Sequence, residues 1–246
     1  MVRTLLIRGM IAGIAAAVLT FVFQYLVGEP ALDGGIAFEE RLGAAAGEPA
    51  GVEMVSRGTQ STVGLAVALL LYGVAIGGIF ALAFAAAYGR LGRLSGRATS
   101  AVLALVGFVV VVVVPFLKYP ANPPASSIDD TIGARTGTYV LMVAASVLLA
   151  AGAVLLGRRL VARFGSWNGV LLAALGYVVV MGVVGALLPV VDETPAGFPA
   201  TVLYDFRLAS LGGQLMLWTV LGLVFGALVD RGSRRIDRAS VEPASR

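Results

Sequence analysis

Three carboxylates and a guanidinium crowd one short stretch, VVDETPAGFPATVLYDFRLASL, from Val190 to Leu211. Asp192, Glu193, Asp205 and Arg207 stand there with Pro195 and Pro199 between them, flanked by long apolar runs. Oxygen donors in such a cluster suit hard divalent cations such as Mg²⁺ or Ca²⁺, whereas nickel and cobalt more often take nitrogen. The candidate metal ligands are Glu29, the Asn122 amide, Asp192, Glu193 and Asp205, together with carbonyls freed by prolines. The competing reading of these carboxylates is an acidic, solvated surface.

Other chemistry is closed off. The chain has no cysteine and no histidine, which removes disulfides, thiolate metal sites, imidazole catalysis and Ser-His or Cys-His nucleophiles. No Gly-Lys pair exists, so there is no P-loop. An intramembrane aspartyl mechanism needs carboxylates within the apolar runs, and none is placed there. No catalytic residue and no bound cofactor is expected, and the chain reads as a non-enzyme.

The elements that carry these residues are set by hydropathy. Of 246 residues, 59% are hydrophobic and 13% charged, against about a quarter charged in soluble domains. Mean hydropathy is +0.93. Six runs reach the roughly 20 residues a helix needs to cross a bilayer, near 5–27, 62–88, 99–117, 136–156, 167–189 and 208–229. They lack strand alternation, and lipid leaves no free backbone group satisfied, so helix is the expectation. The first run follows Arg3 and Arg8 but is long and lacks a small-x-small cleavage site, which argues for a retained span over a signal peptide. The reading is an all-α integral membrane protein, a six-span helical bundle in a single transmembrane domain, with 231–246 as a cytoplasmic tail.

Charge sets the orientation. The N-terminal arm, the loops after spans two and four, and the tail hold 13 of the 18 basic residues, among them Arg90, Arg93, Arg97, Arg158, Arg159 and Arg163. By the positive-inside rule both termini face the cytoplasm, and the acid-rich stretch from 190 lies outside. Basic residues scattered over short loops form no face for nucleic acid despite the net charge of +4.

The three external loops share a plan. A proline stands at or near the end of each outgoing span (Pro30, Pro115, Pro189), and an arginine at the start of each returning one (Arg57, Arg135, Arg207). This suggests three similar parallel hairpins, as transporters often use. A cation at a helix N-terminus opposes the macrodipole, so an acidic partner is expected. Asp129, Asp130, Asp192, Glu193 and Asp205 are nearest in sequence, and Arg207 is expected to pair with one of them. Arg207, Ser210 and Gln214 share one helix face, and Arg135, Tyr139, Met142 and Ser146 another. Such stripes point into a bundle, either to line a pathway or only to tie helices together. Gly9–Gly13, Gly73–Gly77 and Gly222–Gly226 are Gly-x-x-x-Gly pairs of the kind that lets helices approach in lipid. The Gly/Ala/Glu segment between Leu32 and Arg57 reads as a mobile or variable loop.

Several motifs closely resemble one family. KYPANPP (Lys118–Pro124), TIGARTGTYVLM (Thr131–Met142), WN (Trp167–Asn168) and VDETPAGFPATVLYDFRLASLGGQLMLW (Val191–Trp218), with EP at Glu29–Pro30 and YG at Tyr72–Gly73, resemble the CbtA family, the larger membrane subunit of a proposed cobalt transporter. The resemblance implies cobalt as the transported species, uptake across the cytoplasmic membrane, and a small one-span CbtB subunit carrying histidines. Those histidines would supply the nitrogen donors this chain lacks. A non-transporting membrane scaffold and an organic-anion carrier using Arg135 and Arg207 are the rival functions, and a homo-oligomer is left open.

Overall fold

The computed structural model describes residues 2–47, 54–90, 92, 94–126, 132–191, 194–195 and 197–241, without the side chains of 132 and 232–241. Among the described residues six helices are long and apolar enough to cross a membrane. They are α1 (Val2–Ala46), α2 (Arg57–Ala87), α3 (Gly96–Lys118), α4 (Ile132–Phe164), α5 (Ser166–Leu187) and α6 (Ala200–Val241). The six-span helical bundle expected from hydropathy is thus the observed architecture. Large apolar side chains point outward, with Leu71 68% and Leu148 72% exposed, while alanines and aromatics fill the interior. That inversion is what a lipid solvent demands, since tails are as apolar as leucine and helices are held by close packing instead.

The helix limits follow from local sequence. The segment from Leu32 is helix as far as Ala46, built from good helix formers, and 48–53 lies outside the described residues. Pro30 and Pro115 do not end their helices. A π-turn precedes each, Gln24–Gly28 in α1 and Phe108–Val113 in α3, and such a turn re-registers the carbonyls that a proline ring would strike and cannot bond. The second helix begins at Arg57, as the arginine pattern expected, and Ser56 caps it, its hydroxyl accepting from the Thr59 N–H at 3.4 Å. The tail continues α6 as helix to Val241.

The chain forms two compact units. The first comprises Met1–Ala31, Ala50–Phe108 and Ala209–Arg246. In it α1 lies along α2 with Gly9 against Gly77 and Gly13 against Gly73, so close that a β-carbon at any of the four would strike the facing backbone. Phe80, Phe84, Trp218 and Phe225 interlock edge-to-face between α2 and α6, with ring centroids 5.0–6.5 Å apart. Gly222 and Gly226 receive α3, where the buried Ser100 hydroxyl donates to the Gly222 carbonyl at 2.6 Å. All three Gly-x-x-x-Gly pairs therefore sit at helix contacts.

The second unit comprises Leu32–Pro49 and Val109–Leu208. Here α4 lies along α5, and Gly165 alone joins them at φ 80, a conformation that favours glycine. Tyr119, Met142 and Met181 form its buried cluster. The C-terminal end of α1 belongs to this unit, with Phe38 edge-on to Phe198 at 4.8 Å and Gly35 beside Pro123 and Pro124. The close lengthwise pairings are α1 with α2, the first of the hairpins expected from the loops, and α4 with α5, joined through Gly165. The interdigitating small residues choose the partners.

Candidate functional site

The loop after α3 is fixed by its own sequence. Its prolines restrict the backbone, Pro123 is fully buried, and Ser126 donates to the Pro123 carbonyl at 2.6 Å. Tyr119, buried beneath it, donates its hydroxyl to the Pro189 carbonyl at 2.7 Å and so ties the end of α3 to the end of α5. This ordered loop receives Arg207. The guanidinium Nε donates to the Ala121 carbonyl at 3.3 Å, and Nη2 donates to Asn122 Oδ1 at 2.9 Å. Arg207 lies two turns inside α6 and is half-buried, so the fork bridges the N-terminal part of α6 to the loop.

The described partners of Arg207 are a carbonyl and an amide of the preceding loop, not a carboxylate of its own. A neutral loop oxygen reaches the guanidinium at the depth where α6 carries it, while Asp205 stands exposed near the start of the helix. Asp129, Asp130, Asp192 and Glu193 lie outside the described residues. Asn122, a candidate metal ligand, spends its amide oxygen on Arg207, so a cation at that oxygen would meet a positive charge.

In the first unit Glu29 forms an ion pair with Arg57, joining α1 to α2. Both side chains are largely covered, 12% and 28% exposed. The arginine at the start of α2 is thereby offset, as the macrodipole argument requires, but by the residue read as a metal ligand. The signal was available: Glu29 and Arg57 sit at matching ends of two antiparallel spans. Among the described residues no group of three or more Asp, Glu, His or Cys could hold a metal ion.

The α4 stripe divides. Arg135 is half-buried near the helix start, Tyr139 is 40% exposed, and Met142 and Ser146 are buried. The single hydroxyl proton of Ser146 is given to the Val110 carbonyl at 2.6 Å, which leaves Tyr177 as the donor in their 2.6 Å contact. Ser146 thus ties α3, α4 and α5 at the π-turn of α3. On α6, Ser210 is half-buried and the Gln214 side chain meets the Tyr72 hydroxyl of α2. Sequence reading missed Thr20 and Gln24 of α1, the polar pair one turn apart within the first apolar run.

Fold and site together define a multi-pass α-helical membrane protein whose polar groups are turned into the bundle. Its sequence places it more narrowly. The model of the CbtA family, described as probable cobalt transporter subunit, matches residues 2–230, nearly the whole chain, and the chain belongs to that family. No curated protein and no solved structure matches it.

Proposed function

We propose that this chain is the membrane-spanning subunit of a cobalt, or more broadly divalent metal ion, uptake transporter in the cytoplasmic membrane. Both termini lie in the cytoplasm, and the loop bearing Asp192 and Glu193, with Asp205 in the first turns of α6, faces outside, where the cation arrives. The chain is not an enzyme. It works with a small histidine-bearing, CbtB-like subunit, because a chain without histidine or cysteine offers cobalt no imidazole or thiolate donor. The observation that carries this reading is the family match over residues 2–230 on a chain with six membrane-capable helices.

The roles follow from that assignment. Asp192, Glu193 and Asp205 attract and hand on the cation, while Glu29 with Arg57 and Asn122 with Arg207 hold the outer ends of the spans in place. Labelled cobalt flux into proteoliposomes tests this, with the chain alone and then with the small subunit. Flux is expected with the pair, and lower flux at unchanged protein level in Asp192→Asn, Glu193→Gln or Asp205→Asn. Wild-type rates in all three variants would remove the loop from the pathway. One observation favours a second reading, an organic-anion carrier: the described partners of Arg207 carry no charge. Arg207→Gln would then abolish flux of an anion and leave metal binding intact.

A further inference from the structure

Four buried polar side-chain atoms among the described residues have no hydrogen-bond partner: Thr20 Oγ1, Gln24 Oε1, Gln214 Oε1 and Trp218 Nε1. All lie in the first unit, two on α1 and two on α6, and on each helix the two are four residues apart, one turn along one face. Thr20 is 2% and Trp218 7% exposed, so lipid-side water does not satisfy them.

The two helices meet at this depth. Phe23 packs where a β-carbon at Gly212 would stand, and a β-carbon at Gly213 would lie 2.8 Å from Gln24 Cδ. A β-carbon at Gly28 would lie 2.7 Å from Gln24 Oε1. The amide of Gln24 thus occupies room that two glycines leave open. Gln24 also begins the π-turn of α1, a distortion that recurs at functional sites. Across from it Gln214 meets Tyr72 of α2.

An apolar residue at each of these positions would be cheaper in lipid than an unpaired oxygen. Three of the four orphans are oxygen acceptors, and a cation is the ligand that needs lone pairs and brings none of its own to the contact. The set is neutral, which bears on strength. Amide and hydroxyl oxygens hold a divalent ion far more loosely than carboxylates do, and a conducting site must release what it binds. The Trp218 N–H would face the oxygen of an accompanying water, and the Thr20 hydroxyl can donate as well as accept.

We propose that Thr20, Gln24 and Gln214 form an intramembrane transit site that takes a divalent cation still carrying part of its water shell. The proposal rests on the metal-transport reading and deepens it.

Because the chain has no cysteine, single cysteines report directly on hydration. In proteoliposomes, Thr20→Cys and Gln214→Cys should react with a small charged thiol reagent at least ten times faster than Leu71→Cys, whose side chain faces lipid. Cobalt flux with the small subunit should fall at least tenfold in Gln24→Leu and Gln214→Leu. It should fall several-fold in Gly213→Ala, which displaces the Gln24 amide and keeps every polar group. Wild-type flux in the three substituted proteins, beside an active parent, overturns the site and leaves the transport reading standing. If the parent moves no cobalt with its partner, the cargo reading fails and the thiol rates still decide: reactive cysteines support a hydrated cation site, and cysteines as inert as the Leu71 control overturn it. Should a leucine variant not accumulate, Gly213→Ala and the thiol rates carry the same decision.

Discussion

Replacing Gly77 by alanine, with Gly78→Ala beside it, tests whether backbone-to-backbone packing of α1 on α2 holds the first unit. At Gly77 the new β-carbon would strike the Gly9 carbonyl oxygen and lie 2.8 Å from Gly9 C and 3.2 Å from Gly13 Cα. These are backbone atoms that no rotamer change can clear, so the helices must part by roughly 1 Å. A gap of that size forfeits about a quarter to a half of the dispersion well at each contact along the seam. Overpacking of this kind costs about 1–3 kcal/mol. At Gly78 no atom lies within 4 Å of the new carbon. There the substitution loses nothing and gains up to about 1 kcal/mol of helix propensity. Both variants gain the same propensity, so they should differ by the overpacking cost, about 1–3 kcal/mol, with Gly77→Ala the weaker. Unfolding by SDS in mixed micelles, followed by helicity, measures the difference. Equal midpoints for the two variants would refute the packing argument, since propensity alone treats the positions alike.

Ser146→Ala leaves the Val110 carbonyl and the Tyr177 hydroxyl unpaired, and should cost about 1–2 kcal/mol in the same unfolding assay, with Ser146→Thr costing less; no change would show that these groups find other partners. Reversing either charge of the Glu29–Arg57 pair should destabilise by about 1–2 kcal/mol, a value lowered for partial exposure, and the double exchange Glu29→Arg with Arg57→Glu should recover most of it. An additive double exchange would mean the pair has no coupling. Lys118 is the only lysine and stands where α3 meets the loop that Arg207 holds. A lysine-specific protease should cut there roughly five to ten times faster in Arg207→Gln, as expected for about 1 kcal/mol of lost local protection. An unchanged rate would separate Arg207 from the order of the loop.

Much of the candidate site was legible as residue types and little as partners. The sequence marked Arg57, Arg135 and Arg207 as cations needing compensation, because each opens a returning span. Glu29 and Asn122 were also marked, but as ligands. The Glu29–Arg57 pair was legible from matching span ends, but the partner of Asn122 depends on which loop oxygen reaches the depth of Arg207, and a chain separation of 85 residues carries no such information. The stripe on α6 was visible at Ser210 and Gln214, yet its counterpart on α1 was not. Thr20 and Gln24 hardly lower the hydropathy of their run, and only packing against Gly212 and Gly213 gives them a common neighbour.

The sequence by itself determined that lipid is the solvent, that the runs crossing it are helices, and how many there are. Those are consequences of composition and of the backbone's need for hydrogen bonds where water is absent. Tertiary structure decided what no single run encodes: that α1 continues through Pro30 to Ala46 on a π-turn, that α1 pairs with α2 and α4 with α5, and that Arg207 rests on Asn122. In lipid the apolar surface is satisfied in any arrangement, so the choice among arrangements falls to a few glycines and buried polar atoms, whose contacts exist only once the helices have met.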